Sequence, residues 1–451
     1  MTLIKSISGI RGIIGASLDL KIVKKYVLAF SKISPNGTII LARDTRNSGE
    51  NFISNTIAAF DTVDRLSINC GIIPTPTAQL LIEKNNYAGG IVFTASHNPS
   101  NWNGMKFINS NGVFINEEEF NQLENTANEI VSNEDNIKIN MVDCSKQSID
   151  AHISSVSNLS IINKTKIRNK KFKVAIDCTN GATSKALPLL LKELNCKIIK
   201  INSTFNEDFG RSPEPIPENL DDLSKLTINS NADIGFATDP DGDRLSIIDN
   251  KGKPLGEELT LSLAIYYFLK YFPKSRNKPI ITNLSTSKLT EYISKKFNVP
   301  LIRTAVGEIN VVNDMIKLNS LLGGEGNGGV ILRECHLGRD SLVAAAMILN
   351  LLSNENKSIS NIRKSLPYYY IQKSSVELIS DNLDIFERVK KHFKNEVIIE
   401  IDGMKIEFNN GDWIHIRKSN TEPIIRIISE SNSNSTAIKL IKDVKKILGK
   451  S

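Results

Sequence analysis

Hydrophobic and polar positions follow two distinct patterns along most of the chain, one typical of strands and one typical of helices. Short runs rich in β-branched residues predict strands over residues 38–44, 90–96, 173–179, 197–202, 232–239, 279–285 and 300–306. Longer stretches between these runs read as helices, for example residues 184–195 and 256–272. Strands that alternate with helices in this way are typical of α/β domains with largely parallel pairing.

Three segments repeat one order of elements: a strand, a polar loop and then a helix. Their loops read ARDTRNSG, DCTNGATS and NLSTSK. The repetition predicts three similar α/β domains, and we expect them to cover residues 1–150, 151–252 and 253–370.

The C-terminal part of the chain, residues 371–451, follows a different pattern. Four short strands, VIIEI, MKIEF, DWIHI and PIIRIIS, are separated by turn signals. A helix is then predicted over residues 435–449, because Ile438, Ile441, Val444 and Leu448 fall on one helical face. This pattern predicts a small α+β domain.

Composition and charge narrow the class of protein. The 451 residues carry 56 basic and 49 acidic side chains, a net charge of +7 without any basic block, so we expect no nucleic-acid partner. A solvated basic surface accounts for this excess, which also fits an anionic small-molecule substrate. The five cysteines are scattered and form no CxxC pair, so we expect neither a disulfide framework nor a zinc site.

The hydropathy of the chain carries an expectation about its location. The opening segment MTLIKSISGIRG lacks the features of a secretory signal, and no apolar run approaches membrane-spanning length. We therefore expect a cytoplasmic protein with reduced thiols and no membrane contact, present as a monomer or a homodimer.

The first segment that suggests chemistry is DPDGDR. Asp239, Asp241 and Asp243 alternate directly after an apolar strand, and such crowded carboxylates repel one another unless a cation compensates them. Oxygen ligands suit Mg²⁺ or Ca²⁺. A Ca²⁺ loop of the EF-hand type would need Gly and Glu where this chain has Arg244 and Asn250, so we reject that reading. An acidic surface turn is the alternative.

The second segment is TASHNPSNWNGMKF. Ser96 ends a predicted strand and enters a loop, where a nucleophilic hydroxyl is accessible. His97 follows it, and Lys106 lies further along. A serine that caps a turn beside a hydrogen-bonding histidine explains the segment equally well. No GxSxG motif is present, so a hydrolase triad is not supported.

The third segment, GGEGNGG, matches GxGxxG in form only. A strand and not a helix follows it, and no predicted strand leads directly into it, so the dinucleotide-binding fingerprint fails on context. Glu325 and Asn327 would suit sugar hydroxyls, whereas a plain hairpin turn is the alternative.

The last two segments are RKSNTEPIIR and SISGIRG. In the former, guanidinium groups, hydroxyls and backbone N–H groups make a possible phosphate site, although a surface hairpin explains the segment when it is taken alone. In the latter, glycines frame Arg11, which alone indicates almost nothing.

Taken together, in this order and over essentially the whole chain, these segments resemble the α-D-phosphohexomutase family. TASHNP with DPDGDR is the specific pair, and the other segments support it. The resemblance implies three related α/β domains with mixed sheets and a small C-terminal α+β domain, arranged around a central cleft. It also implies a phosphosugar mutase that acts through a phosphorylated serine.

The resemblance further implies roles for individual residues. Ser96 would carry the phosphoryl group and would share one Mg²⁺ with Asp239, Asp241 and Asp243. Groups that assist the transfer would be Arg11, Lys106 and Arg244. Sugar hydroxyls would be held by Glu325 and Asn327. The phosphate that does not react would be held by Arg417, Ser419, Asn420, Thr421 and Arg426.

The chain departs from the family pattern in two places. Many members carry GE-x-S-G-H in the sugar loop, where this chain has Asn327 in place of the serine and Gly329 in place of the histidine. If that histidine carries a proton in relatives, His97 and Lys106 are the local candidates here. The opening segment also lacks the usual Phe-Gly-Thr before its glycine.

The expected reaction moves a phosphoryl group between the C6 and C1 hydroxyls of a sugar through a bisphosphorylated intermediate. Interconversion of glucosamine 6-phosphate and glucosamine 1-phosphate is the first choice. A phosphomannomutase/phosphoglucomutase is the alternative within this class. Outside it stand a metal-dependent sugar phosphatase and a non-catalytic protein that binds sugar phosphates.

Overall fold

The structure of the protein is a computed structural model that describes residues 3–130, 144–377, 384–419 and 424–449. It consists of four sheets that follow one another along the chain, each with helices packed against it. The first three sheets mix parallel and antiparallel pairs and the fourth is antiparallel. This arrangement confirms the predicted fold class.

The first sheet is six-stranded. Its strands are β1 (Ile4–Ser6), β2 (Gly9–Ile13), β3 (Ile39–Arg43), β4 (Ser67–Ile72), β5 (Gly89–Phe93) and β6 (Trp102–Ile108). The accompanying helices are α1 (Leu20–Ile33), α2 (Ser48–Asp61), α3 (Thr75–Asn85) and α4 (Glu117–Glu129). The strand order is β1-β2-β6-β5-β3-β4, and β3 is parallel to both β4 and β5.

The second sheet is four-stranded. Its strands are β7 (Lys173–Asp177), β8 (Lys197–Ile201), β9 (Ile234–Thr238) and β10 (Leu245–Ile248). The accompanying helices are α5 (Ser145–Ser157), α6 (Lys164–Lys170), α7 (Thr183–Glu193), α8 (Asp221–Asn229) and the 3₁₀ turn Pro217–Asn219. In the order β10-β9-β7-β8, only the β9–β10 pair is antiparallel.

The third sheet repeats this plan. Its strands are β11 (Ile280–Asn283), β12 (Leu301–Thr304), β13 (Leu322–Glu325) and β14 (Gly329–Leu332). The accompanying helices are α9 (Glu258–Tyr271), α10 (Lys288–Lys296), α11 (Glu308–Lys317), α12 (Ser341–Glu355), α13 (Ile359–Lys364) and the 3₁₀ turn Pro273–Asn277. In the order β12-β11-β13-β14, only the β13–β14 pair is antiparallel.

The fourth sheet contains one strand more than the sequence predicted. Its elements are β15 (Tyr370–Glu377), β16 (Val397–Ile399), β17 (Met404–Glu407), β18 (Trp413–Lys418), β19 (Ile424–Ser431), α14 (Asp384–His392) and α15 (Asn434–Ile447). The strand β15 pairs along its whole length with β19 at one edge of the order β15-β19-β18-β17-β16. It was missed because its sequence, YIQKSSVE, is mostly polar and its residues are at most half-buried.

Each sheet contains an antiparallel hairpin whose connection carries one of the polar motifs. The hairpins are β5–β6, β9–β10, β13–β14 and β18–β19, and their connections contain TASHNP, DPDGDR, the GNG of the glycine-rich loop and KSNTEP. The sequence analysis placed no strand directly before the glycine-rich loop, and this was wrong, because β13 runs into it up to Glu325. The two glycines of β13, Gly323 and Gly324, gave the segment a weak strand signal.

One hydrophobic core cluster extends through the first three sheets, with Val92, Ile176 and Leu332 among its buried members. The helices α9 and α12 bury residues on nearly every side at its centre, as expected for helices that are apolar all round. A separate cluster lies under the fourth sheet and includes Ile416 and Ile427. The first three domains are therefore joined by a shared core, whereas the fourth has its own.

The fourth domain contacts the third through polar groups. The carboxylate of Glu430 on β19 accepts hydrogen bonds from Ser287 Oγ (2.5 Å), from Lys288 N (2.8 Å) and from Trp413 Nε1 (2.6 Å). Lys288 is the first residue of α10, so the carboxylate also lies at the positive end of that helix. Ser285 Oγ and His415 Nδ1 add a second contact at 2.8 Å.

Among the residues that the structure describes, no helix is both long enough and apolar enough to cross a membrane.

Candidate active site

Ser96 has an unusual backbone conformation at the start of the β5–β6 connection. Its φ of 50° lies in the left-handed region, which residues with a Cβ seldom adopt. The Ser96 N–H donates to Thr94 Oγ1 (2.9 Å), and the Thr94 hydroxyl donates to Asp44 Oδ2 (2.6 Å). Strained residues of this kind persist only where the surroundings hold them, and these bonds supply that support.

Arg46 holds the same loop from the other side, and the sequence analysis had not identified it. Its Nη2 donates to the carbonyl oxygen of Ser96 (3.0 Å) and to that of Asn98 (2.5 Å), while Nη1 contacts the Asp44 carboxylate. The guanidinium is fully buried. Asp44 and Arg46 both lie in the polar loop ARDTRNSG after β3. Their position directly after a strand is the sequence feature that could have indicated a role in the site.

The DPDGDR segment forms the turn between β9 and β10. Gly242 has a φ of 73°, which allows the chain to reverse there. Oxygens of Asp239, Asp241 and Asp243 lie within 4.8 Å of one another, and all three residues have 0% exposure. Ser96 Oγ lies 3.3 Å from Asp239 Oδ2. The structure therefore brings together the serine and the three aspartates that the sequence singled out.

Lys106 from β6 compensates part of this negative charge. Its Nζ lies 2.6 Å from Asp241 Oδ2 and 3.4 Å from Asp243 Oδ2. Burial alone would lower the pKa of Lys106, but Asp241 and Asp243 outweigh burial and raise it, so the ammonium stays charged. Burial, together with the charges of Asp243 and Asp241, raises the pKa of Asp239 well above its usual range.

Arg339 is the second cation, and sequence reasoning missed it. The guanidinium contacts three carboxylates: Nε with Glu308 Oε2 (2.9 Å), Nη1 with Glu325 Oε2 (2.7 Å) and Nη2 with Asp243 Oδ2 (2.5 Å). Burial opposes ionisation of Asp243, yet Arg339 and Lys106 outweigh it and lower the pKa of that carboxyl. The sequence feature that could have indicated Arg339 is one more polar loop, HLGRDS, between a strand and a helix.

The acidic triad offers unpaired oxygen atoms to a divalent cation. Asp241 Oδ1 and Asp243 Oδ1 are buried without a hydrogen-bond partner in the described part of the chain. Buried carboxylate oxygens are costly when they are left unpaired. Three carboxylates offer the hard oxygen ligands that Mg²⁺ prefers, so the residues present fit such an ion.

The glycine-rich loop places Glu325 at the end of β13. Glu325 Oε1 accepts from Asn283 Nδ2 (2.7 Å) and Gly307 N (2.9 Å), and Asn327 Nδ2 lies 3.4 Å from Glu325 Oε2. A Cβ at Gly329 would lie 2.2 Å from Cδ of Arg339. Since the arginine fills that space, a side chain at position 329 would displace it, which gives the departure from the family pattern a physical reason.

The β18–β19 hairpin brings two arginines together. Arg417 and Arg426 are direct cross-strand partners, and like charges in such a position repel unless an anion lies between them. Arg417 Nε is also 3.0 Å from Asp402 Oδ2. Ser419 lies beside them, whereas Asn420 and Thr421 fall outside the described residues.

Arg11 and His97 complete the set that the sequence predicted. Arg11 Nη1 donates to Asn98 Oδ1 at 3.2 Å, and burial lowers its pKa to about 10. His97 Nδ1 lies 3.4 Å from Ser96 Oγ. Burial, followed by the charges of Arg244 and Arg11, lowers the pKa of His97 well below its usual value, so its imidazole is neutral at pH 7.

A single cavity connects these groups. Its lining includes the predicted residues Arg11, Ser96, His97, Lys106, Arg244, Glu325, Asn327, Arg417, Ser419 and Arg426. Arg244 Nε lies 3.8 Å from Asp239 Oδ2 and 3.7 Å from Asp243 Oδ1. All four sheets therefore contribute residues to the lining of one cavity, and Arg244 connects this lining to the acidic triad.

Comparison with known proteins gives matches over most of the chain. Profiles of the phosphoglucomutase/phosphomannomutase family match in order: α/β/α domain I at residues 3–134, domain II at 150–252, domain III at 256–370 and the C-terminal domain at 377–447.

Two similar proteins of known sequence cover nearly the whole chain. A phosphoglucosamine/phosphogalactosamine mutase from Sulfurisphaera tokodaii is 32% identical over 98% of each chain. A phosphoglucomutase/phosphomannomutase from Thermococcus kodakarensis is 33% identical over 97% of this chain and 98% of its own.

Solved structures share the fold. A phosphoglucomutase/phosphomannomutase family protein from Burkholderia thailandensis superposes with a TM-score of 0.83 at 22% identity, covering 98% of this chain and 97% of its own. N-acetylphosphoglucosamine mutase from Aspergillus fumigatus, solved with GlcNAc-6P and magnesium, gives a TM-score of 0.64 at 14% identity, covering 99% and 96%.

The acidic triad predicts the response of metal binding to a single substitution. Asp241→Asn removes one charge from the buried cluster, so we expect the dissociation constant for Mg²⁺ to rise about tenfold or more, which corresponds to about 1.4 kcal/mol. Isothermal titration with MgCl₂ measures this change. Asp222→Asn, on the exposed face of α8, is the matched control. Equal Mg²⁺ affinity in the wild type and Asp241→Asn would contradict the assignment.

Proposed function

Because the chain belongs to the phosphoglucomutase/phosphomannomutase family, we propose that it interconverts glucosamine 6-phosphate and glucosamine 1-phosphate by way of a phosphoryl group on Ser96. As a member of this family it is a phosphohexomutase, an enzyme that transfers a phosphoryl group between positions of one sugar.

The observation that carries the proposal is the pairing of two separate anion sites in one cavity. Ser96 Oγ lies 3.3 Å from a carboxylate of the acidic triad, while Arg417 and Arg426 lie opposite each other on a hairpin of another domain. A mutase needs one place where phosphate reacts and a second where phosphate is only held. A phosphatase with a serine intermediate needs only the first.

In the first half of the reaction, the free hydroxyl of the sugar monophosphate attacks the phosphorus on Ser96. The bond from phosphorus to Ser96 Oγ breaks and a bond to the sugar oxygen forms, which gives a bisphosphate. The sugar hydroxyl loses its proton, and the departing serine oxygen gains one. Such transfers depend mainly on positioning and on stabilisation of charge, and Arg244 and Arg11 provide cations at the cavity wall.

A Mg²⁺ ion held by Asp239, Asp241, Asp243 and the seryl phosphate would supply charge stabilisation for the transferring oxygens. Lys106 and Arg339 contact two of these carboxylates, Asp241 and Asp243, and help to fix their positions. The left-handed conformation of Ser96 and the Arg46 contacts fix the loop in which Ser96 Oγ lies 3.3 Å from Asp239 Oδ2.

In the second half, the intermediate turns over in the cavity and its other phosphate returns to Ser96. Each phosphate therefore occupies both anion sites in turn, and Arg417, Arg426 and Ser419 hold the one that is not reacting. Asn420 and Thr421 are proposed for the same role on the family resemblance alone.

We propose that His97 carries the proton that the sugar hydroxyl loses to the departing Ser96 Oγ, and carries a proton back in the second half of the reaction. The neutral imidazole has its Nδ1 3.4 Å from that oxygen, so it exchanges a hydrogen bond with the hydroxyl whenever the phosphoryl group is on the sugar. Lys106 remains a cation because its carboxylate neighbours keep it charged, and it therefore acts through its charge.

The sugar is assigned from the relatives and from the polarity of the cavity. The names of similar proteins include phosphoglucosamine/phosphogalactosamine mutase and phosphoglucosamine mutase, at 32% identity each. Glu308 and Glu325 contribute carboxylates to the lining of the cavity. Carboxylates in the cavity lining favour a sugar with a 2-ammonium group over one with a neutral 2-hydroxyl group. The positive charge of Arg339 offsets part of this preference.

A panel of substrates tests the assignment. Glucosamine, galactosamine, glucose and mannose 6-phosphates are compared with Mg²⁺ and a trace of the matching bisphosphate. We expect kcat/KM to be at least about tenfold higher for a 2-amino sugar, equivalent to about 1.4 kcal/mol of discrimination. A higher kcat/KM for glucose or mannose phosphate would instead support the phosphomannomutase/phosphoglucomutase reading.

The paired arginines predict a defect in binding. Arg417→Ala removes a charge-assisted contact worth about 1.5–3 kcal/mol, so we expect KM for the monophosphate to rise about 10- to 100-fold with a smaller change in kcat. Lys418→Ala, at the exposed neighbouring position, is the control and should leave KM unchanged. A loss confined to kcat would contradict a docking role for Arg417.

A further inference from the structure

A second group of potential metal ligands lies apart from the acidic triad. His152 on α5, Cys335 and His336 after β14, and Asp340 at the start of α12 each offer one ligand atom, and these atoms lie within 4.8 Å of one another. All four residues are buried. The sequence analysis expected no zinc site because the cysteines form no CxxC pair, and His152 is too distant in sequence from the others for a motif to reveal the cluster.

The hydrogen bonds of this group leave one nitrogen unused. Asp340 Oδ2 accepts from His152 Nε2 (2.7 Å) and from His336 Nε2 (3.1 Å), and the two rings stand at 80° to each other. Thr77 Oγ1 lies 2.8 Å from His152 Nδ1. His336 Nδ1 is buried and has no hydrogen-bond partner among the described residues.

Within the described residues, Asp340 carries the negative charge of the cluster. Its carboxylate is fully buried, which is unfavourable unless positive charge compensates it. Burial and the Asp340 charge raise the pKa of the Cys335 thiol, which is therefore protonated when no metal is present. Lys84, Glu83 and Glu334 are the charged groups that act on this thiol from outside; Lys84 lowers its pKa, and the two glutamates raise it.

We infer that His152, Cys335, His336 and Asp340 form a structural Zn²⁺ site where the first three domains meet. Two nitrogens, one sulfur and one carboxylate oxygen are a usual four-coordinate set for zinc. The ion, one thiolate and one carboxylate sum to zero charge, so binding replaces a buried anion by a neutral centre.

The protons balance in this binding step. The Cys335 thiol loses one proton to solvent as sulfur binds the ion. Each imidazole stays neutral, while its proton moves from Nε2 to Nδ1 so that the Nε2 lone pair can bind. His152 Nδ1–H then donates to the Thr77 hydroxyl, which can accept as well as donate.

The surrounding contacts suit such a centre. Metal-binding histidines commonly donate their second N–H to a neighbouring group; Thr77 supplies that partner for His152, whereas Nδ1 of His336 has none among the described residues. Asp340 Oδ1 accepts from Leu342 N (2.7 Å) and Val343 N (3.2 Å), which fixes the carboxylate while Oδ2 faces the cluster. Ligands of tetrahedral zinc are about 3.3 Å apart, so the separations of Asp340 Oδ2 from the two histidine nitrogens, 2.7 Å and 3.1 Å, would lengthen by about 0.2–0.6 Å.

The site would act as a clamp beside the active site. Thr77 belongs to α3, His152 to α5 and Asp340 to α12, so the ion would join helices that pack on different sheets. Asp340 directly follows Arg339, and Ser341 Oγ donates to Gly242 O in the aspartate turn at 2.7 Å. A rigid start of α12 therefore helps to fix both the arginine and the triad.

Cobalt spectroscopy of the whole protein tests this inference without relying on activity. The chelator-treated protein is first given excess Mg²⁺, which occupies the aspartate triad, and is then titrated with Co²⁺. We expect one equivalent to give tetrahedral visible bands and a thiolate-to-cobalt charge-transfer band, both abolished by Zn²⁺. Absence of these bands in the Mg²⁺-treated protein would overturn the site, and the cluster would then be a hydrogen-bonded network only.

Variants identify the ligands. Cys335→Ala should lose the charge-transfer band, whereas Cys196→Ala, which removes a thiol on another sheet, should keep it. Thr77→Val should weaken Co²⁺ binding by about tenfold or more, since it removes the partner of His152. A charge-transfer band that survives in Cys335→Ala, or an unchanged affinity in Thr77→Val, would contradict the ligand set.

Discussion

The site depends on three carboxylates that are buried together in one hairpin turn. Asp239, Asp241 and Asp243 have no exposure to solvent and stand within 4.8 Å of one another, an arrangement that is unfavourable unless cations surround it. Lys106 comes from the first sheet and Arg339 from the segment after the third. Because these two cations belong to other domains, their ion pairs with the turn form only when these domains pack together, and the shared core enforces that packing.

A common construction explains why chemistry from four domains converges. In each sheet an antiparallel hairpin carries the functional loop, and the rest of the sheet packs into a core. Contacts between loops then fix their relative positions: Thr75 Oγ1 donates to Asp241 Oδ2 (2.7 Å), and Leu245 N donates to Gly328 O (3.1 Å). The fourth domain has its own core and is joined to the third through polar contacts such as those of Glu430.

The sequence was sufficient for the class of fold, and the residues that it singled out in compact motifs remain predicted site residues that lie close together in the structure. Ser96, the three aspartates and the arginines of the last hairpin were identified because each segment combines its chemistry within a few positions. Arg46 and Arg339 were missed because their roles arise from partners far away in sequence. Glu308, Glu325 and Asp243 meet around Arg339 only in the folded chain. Likewise, β15 was missed because an edge strand with a polar sequence gives a weak hydrophobic signal.

Transfer of phosphate to and from Ser96 is the claim on which the proposed reaction depends, and labelling tests it most directly. The protein is incubated with glucosamine 1,6-bisphosphate that carries ³²P, digested and mapped, and a second sample is chased with unlabelled glucosamine 6-phosphate. The account predicts label on the peptide that contains Ser96, its complete release into sugar phosphate during the chase, and no label in Ser96→Ala. Turnover that proceeds without label on Ser96, or label that persists through the chase, would contradict it.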